Sequence, residues 1–92
     1  MKLLREPEVN ALTGRKRSAN RLDIANGLMT QPVHIGTNAI AWPEHEILAI
    51  NTARIAGRTD VDIRQLVDRL HAQRATADQA IAEILSEAKH GL

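Results

Sequence analysis

A mostly α-helical fold with one small β-hairpin is predicted by three features of the sequence. Two short helical segments before residue 28 meet at a polar turn after Gly14. Residues 33–42 then alternate with a period of two around Gly36-Thr37-Asn38. From Thr59 onward, apolar residues recur every three or four positions. A hairpin that follows a helix-turn-helix is a wing, so the predicted architecture is a winged helix-turn-helix with a C-terminal helical extension.

The elements follow in order. Leu3-Leu4 is a short apolar opening with strand character. Pro7 fits the first position of a helix, with Glu6 and Glu8 near its positive end, and Gly14 stops it after Val9 and Leu12. Ser18 is the expected N-cap of a second short helix that runs to about Asn26 and closes at Gly27, with Leu22, Ala19 and Ala25 facing the first helix. Val33/Ile35 and Ile40/Trp42 form the hairpin, with Pro32 at its margin. Pro43 opens a third helix whose buried face would be Ile47, Leu48, Ile50 and Ile55. Thr59 caps a fourth, carrying the stripe Ile63, Leu66, Val67 and Leu70. Thr76 and Gln79 form a capping box for a last helix through Ile81, Ile84, Leu85 and Ala88 to Gly91. These last two helices are expected as an antiparallel hairpin or one interrupted arm, their stripes serving as core or as a dimer seam.

Composition removes several classes of function. A chain of 92 residues holds one small core and no large enzyme cleft. Trp42 is its single aromatic residue, so the stacking platform common in single-strand and RNA binders is missing; the simplest role for Trp42 is to bolt the wing to the next helix. No cysteine means no disulfide, no thiolate metal site and no thiol nucleophile. His34, His45, His71 and His90 lie far apart, so neither a metal site nor any cofactor is expected. His45 and Glu46 are helix neighbours that do not face one site, and no nucleophile accompanies them, so no enzyme activity is expected. The apolar runs are far below the ~20 residues of a membrane span. MKLLREPE meets acid before an apolar region forms, unlike a secretory signal, and the expected location is the cytoplasm.

Net charge of +1 hides an asymmetry: residues 1–58 balance at +3 and residues 59–92 at −2, with +4 concentrated in residues 1–22. Basic charge at one end suits a polyanion.

LLREPEV (3–9), ALTG (11–14), RS (17–18), GLMTQPVHIG (27–36) and NAIAWPEHEILAINTARIAG (38–57) together resemble the AlpA-type family of phage and prophage regulators, related to MerR-like and excisionase-like winged helix-turn-helix proteins. Gly14 to Gly36 keeps the family spacing without a gap. TDVDIRQLVDRL (59–70) is similar to an extension carried by one branch, while residues 75–92 lie outside the likeness. The resemblance implies a DNA-binding domain over residues 1–57 and an amphipathic extension over 58–92, acting as a dimer or packing hairpin. It further implies a bacterial, nucleoid-associated regulator of a prophage or integrative element that binds double-stranded DNA sequence-specifically. Partners would be duplex DNA, a second copy of the chain or a cooperative oligomer on DNA, and an integrase; no membrane is implied. The alternatives are an excisionase-type architectural factor and a protein-interaction module that docks on a recombinase or response regulator.

Residue by residue, Arg17, Ser18, Asn20 and Arg21 stand where the second helix would meet base edges, arginine suiting guanine and asparagine suiting adenine. Arg15 and Lys16 in the turn suit phosphates, and His34, Thr37 and Asn38 on the hairpin would touch backbone or minor groove. The chain departs from the family at Asn20 and Asp23, often apolar there, and near Arg21, often beside an aromatic. It departs again at the wing tip, where Thr37 and Asn38 replace basic residues.

Overall fold

The computed structural model describes residues 1–90, with side chains to residue 88. The elements are β1 (Leu3–Leu4), α1 (Glu6–Thr13), α2 (Arg17–Ala25), β2 (Val33–Gly36), β3 (Ala39–Pro43), α3 (Glu44–Ile55) and α4 (Asp60–His90). The winged helix-turn-helix is present, and the apolar opening pair is indeed a strand. β1 and β2 flank β3 in one antiparallel sheet of order β1-β3-β2, with Leu4 opposite Trp42 and Val33 opposite Ala41. Pairing slips between His34 and Gly36, a bulge that turns the hairpin tip.

Helix boundaries move slightly from those read in the sequence. Pro7 is the second residue of α1, where its missing N–H is still among those without an intrahelical partner. The Glu8 carboxylate accepts the Arg5 backbone N–H at 3.2 Å. Gly14 ends α1 at φ +71°, a left-handed conformation that L side chains resist. α2 starts at Arg17, so its N-cap is Lys16 and not Ser18, and its first turn closes through Asn20 N–H to Lys16 C=O at 3.0 Å. Gly27, at φ +75°, completes a Schellman end: Leu28 N–H donates to Asp23 C=O at 2.8 Å and Gly27 N–H to Ile24 C=O at 3.2 Å. Pro43 finishes β3 rather than opening α3.

Leu4, Val9, Met29, Trp42, Ile47, Ile50, Ile63, Val67 and Leu70 build the core. Trp42 is buried in β3, the strand that leads directly into α3, and its indole N–H donates to Thr30 C=O at 2.9 Å, which satisfies the one polar atom of the ring. α3 buries a narrower face than its composition suggests. Ile47 and Ile50 point inward, but Leu48 is exposed and Ile55 is 87% exposed. The inward positions beside them are taken by Glu46 and the half-buried Ala49 and Ala53, which mask the stripe in the sequence.

The largest departure lies in α4. The expected pair of helices is one helix of 31 residues, about 46 Å long. Thr59 caps it as predicted, its Oγ accepting Asp62 N–H at 3.2 Å. Thr76 and Gln79 make no second start, because residues 58–90 contain neither glycine nor proline and are rich in alanine, the best helix former. The predicted stop at Gly91 lies outside the described residues. Positions 63, 67, 70, 74, 77, 81, 84 and 88 step by four and three, a continuous seam of coiled-coil spacing along the helix. Ile63, Val67 and Leu70 are covered by the rest of the protein, so this part of the stripe is core. Beyond Arg74 the helix projects alone, leaving Ile81, Ile84 and Leu85 54–59% exposed. No helix among the described residues is long and apolar enough to cross a membrane.

Candidate nucleic-acid interface

The turn between α1 and α2 holds only Gly14, Arg15 and Lys16, and polar side chains lock the two helices across it. Asn20 and Asp23 are each 4% exposed and point into the α1–α2 junction. The Asn20 amide donates to Asn10 Oδ1 at 2.6 Å and accepts from Thr13 Oγ at 3.2 Å. Arg15 folds back on Asp23, its Nε 2.6 Å from the carboxylate, and Arg54 of α3 approaches the same oxygen at 3.6 Å.

Two predicted contacts are corrected by this packing. Asn20 is enclosed with its amide engaged, so it is not presented to a base; Arg15 is an internal ion-pair partner rather than a free cation of the turn. The inward face of α2 is Asn20, Asp23 and Ile24; of the expected Leu22, Ala19 and Ala25, only Ala19 is half-buried. Leu22 is instead 59% exposed, and Ala25 is exposed too. Asn20 and Asp23 are two of the positions at which the chain departs from the pattern that the resemblance implies, and a position expected to be apolar is a candidate core position. Here the core is polar: the Asn20 amide is hydrogen-bonded and Asp23 Oδ1 accepts from Arg15 Nη2 at 3.2 Å, while Asp23 Oδ2 is met by Arg15 Nε and Arg54 Nη2 through charge without an aligned hydrogen bond. Asn20→Ala strands Asn10 and Thr13 and is expected to cost about 1–3 kcal/mol in urea unfolding, with the helices otherwise retained.

The remaining candidates converge. An open groove between the start of α1, the outer face of α2 and the hairpin is lined by Arg5, Glu6, Arg17, Arg21, His34, Thr37 and Asn38. Arg17 and Arg21, one helical turn apart, project from α2, while His34, Thr37 and Asn38 come from the exposed hairpin tip. Ser18 is exposed at the start of α2 beside them, and Lys16 is exposed in the turn. The groove thus gathers five of the nine predicted residues, with Ser18 and Lys16 at its edge.

Glu6 is the residue that sequence reading missed. Its carboxylate accepts Arg21 Nε at 3.2 Å and Arg21 Nη2 at 3.1 Å, and Arg17 Nε lies 3.2 Å from its Oε1. One acid therefore holds two guanidinium groups. Pairing across 11 and 15 residues leaves no local pattern in the sequence, where Glu6 shows only as a favourable helix-end charge.

The family model for the prophage CP4-57 regulatory protein (AlpA) matches residues 2–49, just over half of the chain. No curated protein and no solved structure matches it. The matched span runs from β1 through the first half of α3 and includes every residue that lines the groove. By this match, the chain belongs to the AlpA family of prophage regulatory proteins.

Proposed function

We propose that this protein binds double-stranded DNA sequence-specifically, as a transcriptional regulator of a prophage or integrative element. The observation that carries the reading is the convergence of Arg17 and Arg21 from α2 with His34, Thr37 and Asn38 of the hairpin on one open groove. In this arrangement α2 enters the major groove with Arg17, Ser18 and Arg21 toward base edges. Leu22 is available to a thymine methyl group, and the hairpin tip and Lys16 lie against the backbone. Residues 1–57 form the DNA-binding unit, and α4 braces it and carries an arm away from it.

A second reading within the same class is favoured by that arm. Its bare stripe of Ile81, Ile84 and Leu85 shares the end of α4 with Asp78, Glu83 and Glu87, an apolar and acidic surface that is no part of the basic groove. Such an arm suits docking, either on a second copy that occupies a neighbouring half-site or on a recombinase in an excisionase-type role.

Selection of bound duplexes from a random pool, repeated at two salt concentrations, tests the function. Enrichment of a short motif that survives the higher salt is expected. With roughly four phosphates neutralised, the slope of log K against log salt should lie near about −3.6. Paired half-sites about one helical turn apart indicate two copies; a single site leaves the arm to another partner. No enrichment, with weak binding lost in salt, overturns the reading.

A further inference from the structure

Glu6 is an acid in the middle of a surface whose proposed ligand is an anion. Its side chain is 18% exposed, and it sits between Arg17 and Arg21, the two side chains best placed to read bases. A carboxylate there weakens attraction to every phosphate, so its value must lie elsewhere.

We infer that Glu6 is a specificity-determining positioning residue, which holds Arg17 and Arg21 in a fixed fork and restrains them from indiscriminate phosphate contact. The inference rests on the groove being a DNA-binding face. Two arginines at i and i+4 repel one another and, with long side chains, would sweep the surface freely. Glu6 removes that freedom. Arg21 presents its Nε–Nη2 edge to the carboxylate, which leaves Nη1 outside that pairing; the Arg17 contact through Nε leaves its two terminal nitrogens unengaged by Glu6. With one of the two charges neutralised locally, non-specific attraction falls, while a correctly spaced pair of base acceptors still meets donors already aimed. Discrimination is a difference between affinities, and a repulsive group that penalises the wrong complexes raises it as surely as a new contact to the right one.

Glu8 supplies the control. It lies two residues away, bears the same charge and contacts Lys2 and the Arg5 backbone instead of Arg17 or Arg21. Equilibrium binding of the full chain to its selected duplex and to a scrambled duplex, across a salt series, is compared for wild type, Glu6→Gln and Glu8→Gln. Glu6→Gln is expected to bind the scrambled duplex several-fold more tightly, to steepen its salt slope by about one, and to lower the ratio of specific to non-specific affinity roughly tenfold. Glu8→Gln should leave that ratio near the wild-type value. Glu6→Asp, which keeps the charge but shortens the reach, should also lower the ratio, with little change in salt slope, and remains informative if Glu6→Gln folds poorly. Equal ratios in wild type and both Glu6 variants, or equal losses in Glu6→Gln and Glu8→Gln, overturn the inference. A wild-type protein that binds neither duplex overturns the proposed function instead, so the two failures are distinguishable.

Discussion

Arg74→Ala should largely unfold the protein at physiological temperature. Glu46 is only 1% exposed, and both its oxygens are held by one guanidinium, from Arg74 Nε at 2.8 Å and Nη2 at 2.6 Å. Arg74 Nη2 also donates to the Gln31 carbonyl at 2.7 Å, tying α4 to the segment that leads into the hairpin. Truncation leaves a carboxylate buried without a counter-charge, a loss of about 3–5 kcal/mol. Small domains often hold only about 5 kcal/mol in total, at the low end of the usual range. The corresponding drop in Tm is roughly 12–40 °C. Trp42 is the single aromatic residue and is buried, so its fluorescence reports the transition without interference. The double replacement Glu46→Met with Arg74→Leu should recover most of the loss, because the cost lies in the orphaned charge rather than in absence of the pair. A melting curve for Arg74→Ala within a few degrees of wild type would show the carboxylate to be hydrated.

Arg17→Ala combined with Arg21→Ala should abolish sequence recognition while leaving the fold intact. Each guanidinium that reads a base is worth about 1–3 kcal/mol of discrimination, so the pair represents about 2–6 kcal/mol, or roughly 30-fold to 20,000-fold at the selected site. Among the described residues their side-chain partners are confined to Glu6, and the two side chains are 68% and 49% exposed. Ion pairs of this kind contribute little to stability, about 0–1 kcal/mol, so the Tm should move by only a few degrees. Binding is checked by titration of the selected duplex at fixed salt and folding by the Trp42 signal. Retained affinity in a folded double variant would place the DNA-reading surface elsewhere on the molecule.

The order of elements through α3 was legible because its cues are local. Gly14 and Gly27 stop helices where left-handed backbone is required, and the alternation around Thr37 and Asn38 marks a hairpin without outside information. Thr59 likewise announces α4 by a cap that needs only its neighbours. What stayed hidden depends on partners distant in sequence. The inward phase of α2 turns on Asn20 meeting Asn10 and on Asp23 meeting Arg15 and Arg54, and nothing in a polar helix says which polar residues will be satisfied inside. The groove was partly legible: Arg17, Arg21, His34, Thr37 and Asn38 come together as types expected to meet DNA, while Glu6 and the outward Leu22 appear only once α1 and α2 are packed. The capping box at Thr76 misled for the opposite reason. It is a genuine local signal, outweighed by an alanine-rich stretch that has no cause to stop being helical.

The uninterrupted run of α4 makes rotation a heritable property of the molecule. Its inner half is keyed to the core by Ile63, Val67 and Leu70, and its outer half has no joint about which to swivel. The compass bearing of Ile81 and Ile84 is therefore set by the same packing that aims α2. Each residue inserted between 75 and 80 would swing that bearing by about 100° and advance it by about 1.5 Å, whereas seven would bring it back to within roughly 20° of its starting direction. A protein bound along the arm would thus take its azimuth around the DNA from a count of residues, and a change of chain length by one would aim it at a different side of the double helix.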